Sequence, residues 1–167
     1  VMSAIAVVGR MAFFMLPQFK PVTAIVIIAG ISLGAEAGFL TGAVAGFVSN
    51  FFFGQGPWTP WQMFAFGIIG FLAGILFRGN RAKYKKNKGI LCLYGGVATL
   101  GIYGFLMDTS SVVVFGTGFT REALLAMYVS GLPFNIVHAI STMVFLLFLA
   151  EPMDRKLERI KKKYGIL

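Results

Sequence analysis

The sequence predicts an all-α membrane protein whose single domain, residues 1–167, is a bundle of six transmembrane helices with both termini in the cytoplasm. Of the 167 residues, 57% are hydrophobic and only 13% are charged, whereas soluble domains carry roughly a quarter charged residues. Apolar stretches also run along the whole chain, so one signal peptide does not explain them. Because a helix needs about 20 residues to cross the hydrocarbon core, this length allows about five to seven spans and little else.

The first half of the chain contains three predicted spans. Residues 1–16 form the first, which we expect to be clipped at its start, and a segment with two prolines then ends it because proline lacks an amide donor. The apolar tract 21–53 is too long for one span. We divide it at a turn around Gly34 into spans at 21–34 and 36–53.

The second half contains three more. These spans are predicted at 61–77, 89–107 and 122–150. The segment 54–60 is a loop by its glycines and prolines. The basic segment 78–88 and the polar segment 108–121 are predicted as the other connections, and a charged tail begins at Glu151.

The positive charges indicate the orientation. Of the 15 Lys and Arg residues, six lie within 78–88 and six within 155–163. Short loops rich in Lys and Arg stay in the cytoplasm, and with six spans both clusters fall on that side of the cell membrane. The same clusters suit contact with the anionic lipids of the bilayer. We expect no binding of nucleic acid, because these basic segments are short and flank helices.

Small residues recur within two of the spans. Span three carries glycines four residues apart, and span four carries two more. They are Gly34, Gly38, Gly42 and Gly46, followed by Gly70 and Gly74. Small residues on one helical face let a second helix approach closely. The pattern is typical either of packing inside the bundle or of a smooth face for a membrane partner.

Ionisable and amide side chains inside spans are costly and usually face the interior. Arg10 is predicted to pair with an anionic group of a substrate or with Glu36, or to snorkel from a helix end. Asn135 and His138 lie one turn apart, so they either line a pocket or make structural hydrogen bonds. A single histidine and a single cysteine, Cys92, do not predict a metal site.

Aromatic rings, amides and rigid prolines are concentrated in the outer loop 49–62. Stacking faces beside a few polar anchors suit a bulky or planar organic ligand, although an aromatic belt beside a tight loop also explains them. The predicted substrate-binding residues are Arg10, Phe13, Gln18, Asn50, Phe53, Trp58, Trp61, Gln62, Asn135 and His138.

Motifs of other functional classes are missing from the sequence. It has no Walker A motif, no G-x-S-x-G motif and no paired acids of the kind used in proton relays. We therefore expect a binding protein without a catalytic site or cofactor, whose use of ATP would depend on a partner. Two alternatives stay open: a small membrane enzyme that uses His138, and a structural subunit without a ligand.

Two tracts resemble a known family. The tract 49–74 (SNFFFGQGPWTPWQMFAFGIIGFLAG) and the tract 131–140 (GLPFNIVHAI) are similar to the substrate-binding subunits, or S components, of energy-coupling factor (ECF) vitamin transporters. The resemblance implies an S-component fold that binds a vitamin from outside with high affinity. It also implies three partner subunits: a transmembrane scaffold subunit and two ATPase subunits. The S component would dock on the scaffold and topple in the membrane to release the vitamin inside.

The resemblance also indicates a substrate and a docking surface. The G-P-W-T-P-W loop looks most similar to S components assigned to cobalamin, while riboflavin, folate or a similar vitamin remains the alternative. Many family members carry alanines four apart in the first span, at the scaffold contact. This chain has no A-x-x-x-A there, and Ala6 and Gly9 are the predicted docking residues.

Overall fold

The computed structural model describes residues 1–80, 88–115 and 119–165, and these residues are helical without any strand. The helices are α1 (Met2–Ala12), α2 (Val22–Leu33), α3 (Ala35–Phe53), α4 (Thr59–Phe77), α5 (Lys88–Val114) and α6 (Arg121–Tyr164). A π-helical turn, Thr99–Tyr103, interrupts α5, and a short 3-10 turn, Arg78–Asn80, follows α4. The all-α prediction is confirmed.

The division of the tract 21–53 is confirmed at Gly34. This residue separates α2 from α3 and has a φ of +118°, a conformation that residues with a side chain rarely adopt. The prediction for α4 is two residues short, because the helix begins at Thr59. Pro60 lies in its first turn, where the missing amide donor costs no helical hydrogen bond.

The prediction that the first helix runs to residue 16 is wrong, because α1 ends at Ala12. The chain then turns so that the ring of Phe13 packs 5.1 Å from that of Phe145 and 6.3 Å from that of Phe19. Gln18 adopts a positive φ of 57° as the chain reverses toward α2. Helix α1 therefore ends before the two prolines, and Phe13 packs against α6 instead of continuing the helix.

The prediction of an outer loop at 108–121 is also wrong in its first half, because α5 continues to Val114. Its hydroxyl side chains donate back to carbonyl oxygens of the preceding turn, as Thr109 does to Phe105 at 2.7 Å and Ser110 to Met107 at 2.7 Å. Such internal bonds satisfy hydroxyls inside a helix. Thr117 lies outside the described residues.

The predicted last span, 122–150, lies within a longer helix that also contains most of the charged tail. Helix α6 has 44 residues and begins after Thr120, whose hydroxyl accepts from the amide of Ala123. It ends only at Tyr164, where Gly165 follows with a φ of +61°. The charged tail is rich in Lys, Arg and Glu, which favour helix. At 1.5 Å per residue the helix is about 66 Å long, about twice the hydrocarbon thickness. It is therefore much longer than one crossing of the bilayer requires.

Four helices, α3 to α6, are long and apolar enough to cross a bilayer. The other two are apolar but shorter, with 11 residues in α1 and 12 in α2. Helix α2 is nevertheless enclosed, because every residue from Val22 to Ser32 is buried among α1, α3, α4 and α6. Its backbone ends meet protein, so it does not need the length of a lipid-facing helix.

The distribution of side chains fits a lipid solvent. The outer face of α3 exposes apolar side chains at helical spacing, namely Leu40, Val44, Phe47 and Phe51. The interior holds buried polar side chains, including Arg10, Asn50, Gln62 and His138. Apolar outside and polar inside is the arrangement of a membrane-embedded protein.

The glycines of α3 and α4 pack inside the bundle. A methyl group added at Gly38 would lie 2.5 Å from the carbonyl oxygen of Gly70, and one added at Gly42 would lie 2.5 Å from the carbonyl oxygen of Phe66. Gly30 of α2 meets the same carbonyl of Gly70. Of the two interpretations of the glycine pattern, tight internal packing is therefore the one the structure supports.

Candidate functional site

Arg10 lies buried at the end of α1, with only 8% of its surface exposed. Its Nη1 donates to the hydroxyl of Ser49 and, at 3.0 Å, to Oδ1 of Asn50. The guanidinium carbon lies 4.6 Å from the centre of the Phe53 ring. These contacts hold the cation inside the bundle. A snorkelling side chain would instead place its charge in water at the membrane surface.

Glu36 is not the partner of Arg10. It lies in the first turn of α3 and lines an apolar groove with Phe39 and Leu40. Asn50 is 14 residues further along the same helix, which corresponds to about 20 Å. Pairing of Arg10 with an anionic substrate group stays a prediction.

The outer loop is tied to α3 through Thr59. Its hydroxyl accepts from Nδ2 of Asn50 at 3.1 Å and from the amide of Gly56 at 3.2 Å, and it donates to Oε1 of Gln55 at 2.9 Å. Nε2 of Gln55 in turn donates to the carbonyl oxygen of Phe47 at 2.9 Å. Hydrogen bonds through Asn50 therefore connect the loop to Arg10.

Replacing Thr59 with valine should loosen this loop. The amides of Gly56 and Asn50 lose their shared acceptor, which we expect to cost about 1–3 kcal/mol of stability. The measurement is hydrogen exchange at the Gly56 amide, combined with an unfolding titration in mixed micelles. Thr59→Ser keeps the hydroxyl and should behave as the wild type. Unchanged exchange at Gly56 in Thr59→Val would show that the hydroxyl does not hold the loop.

A second polar cluster surrounds Tyr103 in the π-helical turn of α5. Nε2 of Gln62 donates to the Tyr103 hydroxyl at 2.9 Å. The Tyr103 ring stacks on Phe66 at 4.9 Å and meets the His138 ring edge-on at 4.6 Å. Nε2 of His138 shares a hydrogen bond with the Thr23 hydroxyl at 3.0 Å. Gln62 and His138 are thus brought to the same aromatic ring.

Two buried atoms of this cluster have no hydrogen-bond partner in the described part of the chain. They are Oε1 of Gln62 and Nδ1 of His138, whose residues are 4% and 2% exposed. Buried polar atoms in folded proteins are normally paired with protein or water. A water molecule or a ligand with hydrogen-bonding groups would supply such a partner.

Asn135 makes a structural hydrogen bond, one of the two roles that the sequence left open for it. Its Nδ2 donates to Oδ2 of Asp108 at 2.8 Å, and the side chain lies against Gly104. The carboxylate of Asp108 in turn packs against Gly131. Sequence reasoning missed Asp108, because it placed this residue in a loop.

Lys20 was missed too. Its Nζ lies 4.3 Å from the centre of the Phe53 ring, the same ring that Arg10 contacts. Burial, and after it the positive charge of Arg10, lower the pKa of Lys20. A signal was available in the sequence, because Lys20 is one of only three cations outside the two basic clusters.

Comparison with known proteins assigns the chain to a family. The family described as "ECF transporter, substrate-specific component" matches residues 1–150. This chain belongs to that family. A relative, a UPF0397 protein of Vibrio atlanticus (strain LGP32), is 25% identical over 133 residues, covering 71% of this chain and 72% of that protein. No solved structure matches significantly.

In this S component, five predicted binding residues lie in the two polar clusters: Arg10, Asn50, Phe53, Gln62 and His138. The others lie elsewhere. Trp58 is half-buried and covers Gly56, and Trp61 is half-buried in the first turn of α4. Phe13 packs on α6, half-buried Gln18 lies in the turn before α2, and Asn135 pairs with Asp108.

The predicted docking residues of the S component face inward. Ala6 is fully buried, and a methyl group added at Gly9 would lie 2.9 Å from the Pro21 ring. The accessible side of α1 carries Ala4, Val8 and Ala12. This side of α1 borders a groove of about 580 Å³ between α1 and α3. The role of Ala6 and Gly9 in a docked complex stays a prediction.

Proposed function

We propose that this S component captures a vitamin from outside the cell with high affinity and delivers it to an energising module. The observation that carries the proposal is the pair of buried polar clusters around Arg10 and Tyr103. In a chain of this family, a buried cation together with unpaired buried polar atoms is best explained as a substrate site. The ligand would enter beside residues 54–58 of the outer loop. Hydrogen bonds through Thr59 and Asn50 connect this part of the loop to Arg10.

The proposal places six spans in the membrane, with both termini in the cytoplasm. Ion pairs through Glu151 link the two basic clusters, which supports placing both clusters at the same end of the bundle. Lys88 pairs with Glu151 at 2.7 Å, and Arg155 pairs with the same carboxylate. Arg78 also lies against the turn at Gly34. The remaining cations of the first cluster, Arg81, Lys83, Lys85 and Lys86, lie outside the described residues.

Delivery would use the partners with which S components of this family work, a membrane scaffold subunit and an ATPase module. The chain itself would need no cofactor, because the two ATPase subunits would hydrolyse ATP while the S component topples in the membrane. We propose that α1 makes the scaffold contact. Ala6 and Gly9 would let α1 lie close to α2, and the accessible Ala4, Val8 and Ala12 would face the scaffold.

Cobalamin is the vitamin that the loop sequence favours, and riboflavin, folate or a similar vitamin is the alternative. The test is thermal unfolding of the detergent-purified chain, without ATP, against a panel of vitamins. A ligand at 100 times its dissociation constant stabilises by about 2.7 kcal/mol, so one vitamin should raise the melting temperature clearly. A full panel without any shift would contradict the proposal.

The two other functions fit less well. The family is one of transporter components, which disfavours an enzyme that uses His138. In the described part of the chain this imidazole contacts Thr23, Phe66 and Tyr103. A protein that binds a ligand without converting it would exclude the enzyme. Native mass spectrometry that shows a retained small molecule would exclude a structural subunit without a ligand.

A further inference from the structure

We propose that Arg10 and Lys20 form an anion subsite that binds a carboxylate or phosphate group of a small organic molecule. The inference rests on the proposed function and narrows its substrate class to molecules with a negative charge. The two cations contact the same ring, that of Phe53, at 4.6 and 4.3 Å from its centre.

The charges of this subsite have no counter-ion in the described chain. All six acidic residues of the sequence are described, and neither Arg10 nor Lys20 forms an ion pair with any of them. They are Glu36, Asp108, Glu122, Glu151, Asp154 and Glu158. Asp108 accepts from Asn135, Asp154 accepts from Ser32, and Glu151 pairs with Lys88 and Arg155. The hydrogen-bond partners of Arg10 are a neutral hydroxyl and a neutral amide.

An unpaired charge inside a membrane protein is unfavourable, because the low dielectric gives it little solvation. A second cation beside it adds repulsion, since like charges interact strongly where water is scarce. An anionic group that enters between Arg10 and Lys20 would relieve both effects. Ligand binding would therefore be favoured by the same charges that destabilise the empty site.

The guanidinium has donors left for such a group. Both hydrogen bonds of Arg10 come from Nη1, so Nε and Nη2 have no partner in the part of the chain described. An arginine fork can donate two parallel hydrogen bonds to a carboxylate or phosphate. Lys20, which is half-buried near the outer loops, would meet the other side of the anion as a point charge.

The rest of the ligand is constrained by the cluster around Tyr103. The Phe66 ring links the two halves of the site, because it lies 6.0 Å from the Arg10 guanidinium and stacks on Tyr103 at 4.9 Å. The unpaired Oε1 of Gln62 requires a donor from the ligand. The subsite therefore suits a molecule with an anionic end and an N–H or O–H group on an apolar or planar body. Folate has these features, whereas riboflavin lacks the charge.

The test compares matched compounds that differ only in the anionic group, by isothermal titration with the detergent-purified full chain. The pairs are nicotinate and nicotinamide, pantothenate and pantothenol, biotin and biotin amide, and riboflavin phosphate and riboflavin. Folate and cobalamin are added as single compounds. The compound that binds should be anionic, and its neutral counterpart should bind at least about tenfold more weakly, because the charge-assisted hydrogen bonds are lost.

Three variants test the residues. Lys20→Met should lower the affinity for the anionic compound about tenfold or more and raise the melting temperature of the ligand-free protein. Asn50→Asp should abolish anion binding, because it places a carboxylate beside Arg10. Lys156→Met removes an exposed cation from the tail and should change neither quantity.

The outcomes separate this inference from the proposed function. Tight binding of a neutral compound, unaffected by Lys20→Met or Asn50→Asp, would overturn the anion subsite and leave the vitamin-binding function standing. An anionic ligand whose affinity is unchanged in both variants would also overturn the subsite. Binding of none of these compounds to the folded wild-type protein would contradict both proposals.

Discussion

Replacing Gly70 with leucine should prevent the bundle from folding, or destabilise it by about 3 kcal/mol or more, the upper part of the range for overpacked interiors. A methyl group at this position would already lie 2.6 Å from the carbonyl oxygen of Gly38 and 2.7 Å from Cγ1 of Val26. The obstacle at Gly38 is backbone, which cannot rotate away. Helices α2, α3 and α4 would therefore have to separate along their shared face.

The measurement is an unfolding titration in mixed micelles, together with the yield of monodisperse protein. Gly101→Leu is the matched control, because a methyl group added there meets nothing within 4 Å, and this variant should fold as the wild type. Equal stability of Gly70→Leu and Gly101→Leu would show that the glycine face does not hold the three helices together.

Replacing Gln62 with leucine should separate stability from binding. The change removes a buried carbonyl oxygen that has no partner, so the ligand-free protein should keep its stability within about 1 kcal/mol, even though the bond to Tyr103 is lost. Ligand affinity should fall roughly tenfold or more, because the ligand loses the acceptor for one of its donors. Thermal unfolding measures the stability and titration calorimetry the ligand affinity, each for Gln62→Leu and for the wild type.

Met63→Leu is the control for this variant, because it changes the next residue of α4 at nearly constant volume and should alter neither quantity. A Gln62→Leu protein with the affinity of the wild type would place the ligand elsewhere. One that is destabilised by several kcal/mol would make Gln62 a structural residue.

Local chemistry decided which features could be predicted from the sequence. The turn at Gly34 was predictable, because a tract of 33 apolar residues exceeds one span and glycine tolerates the φ that the turn needs. The helical segment 108–114 was not, because its polar composition resembles that of a loop. Only the structure shows that its hydroxyls donate to the helix backbone and that Asp108 meets Asn135.

The candidate site shows the same limit. The sequence singled out Arg10, Asn50 and His138 as polar residues within or beside apolar spans. It could not show that Arg10 meets Asn50, 40 residues away, or that Lys20 shares its aromatic ring. Periodicity reports the faces of one helix, while partners on different helices depend on how the helices pack. Ligand binding by these residues remains a prediction.

The central claim is that a site at the outer end of a membrane bundle captures its ligand from outside, while the basic tail stays inside. Single cysteines introduced by Pro57→Cys or Lys162→Cys, each in a Cys92→Ser background, allow a direct test with a membrane-impermeant maleimide on intact cells. Both positions are exposed. Position 57 should be labelled in intact cells and position 162 only after permeabilisation. Labelling of position 162 in intact cells, with position 57 protected, would contradict the orientation and with it the capture of a ligand from outside.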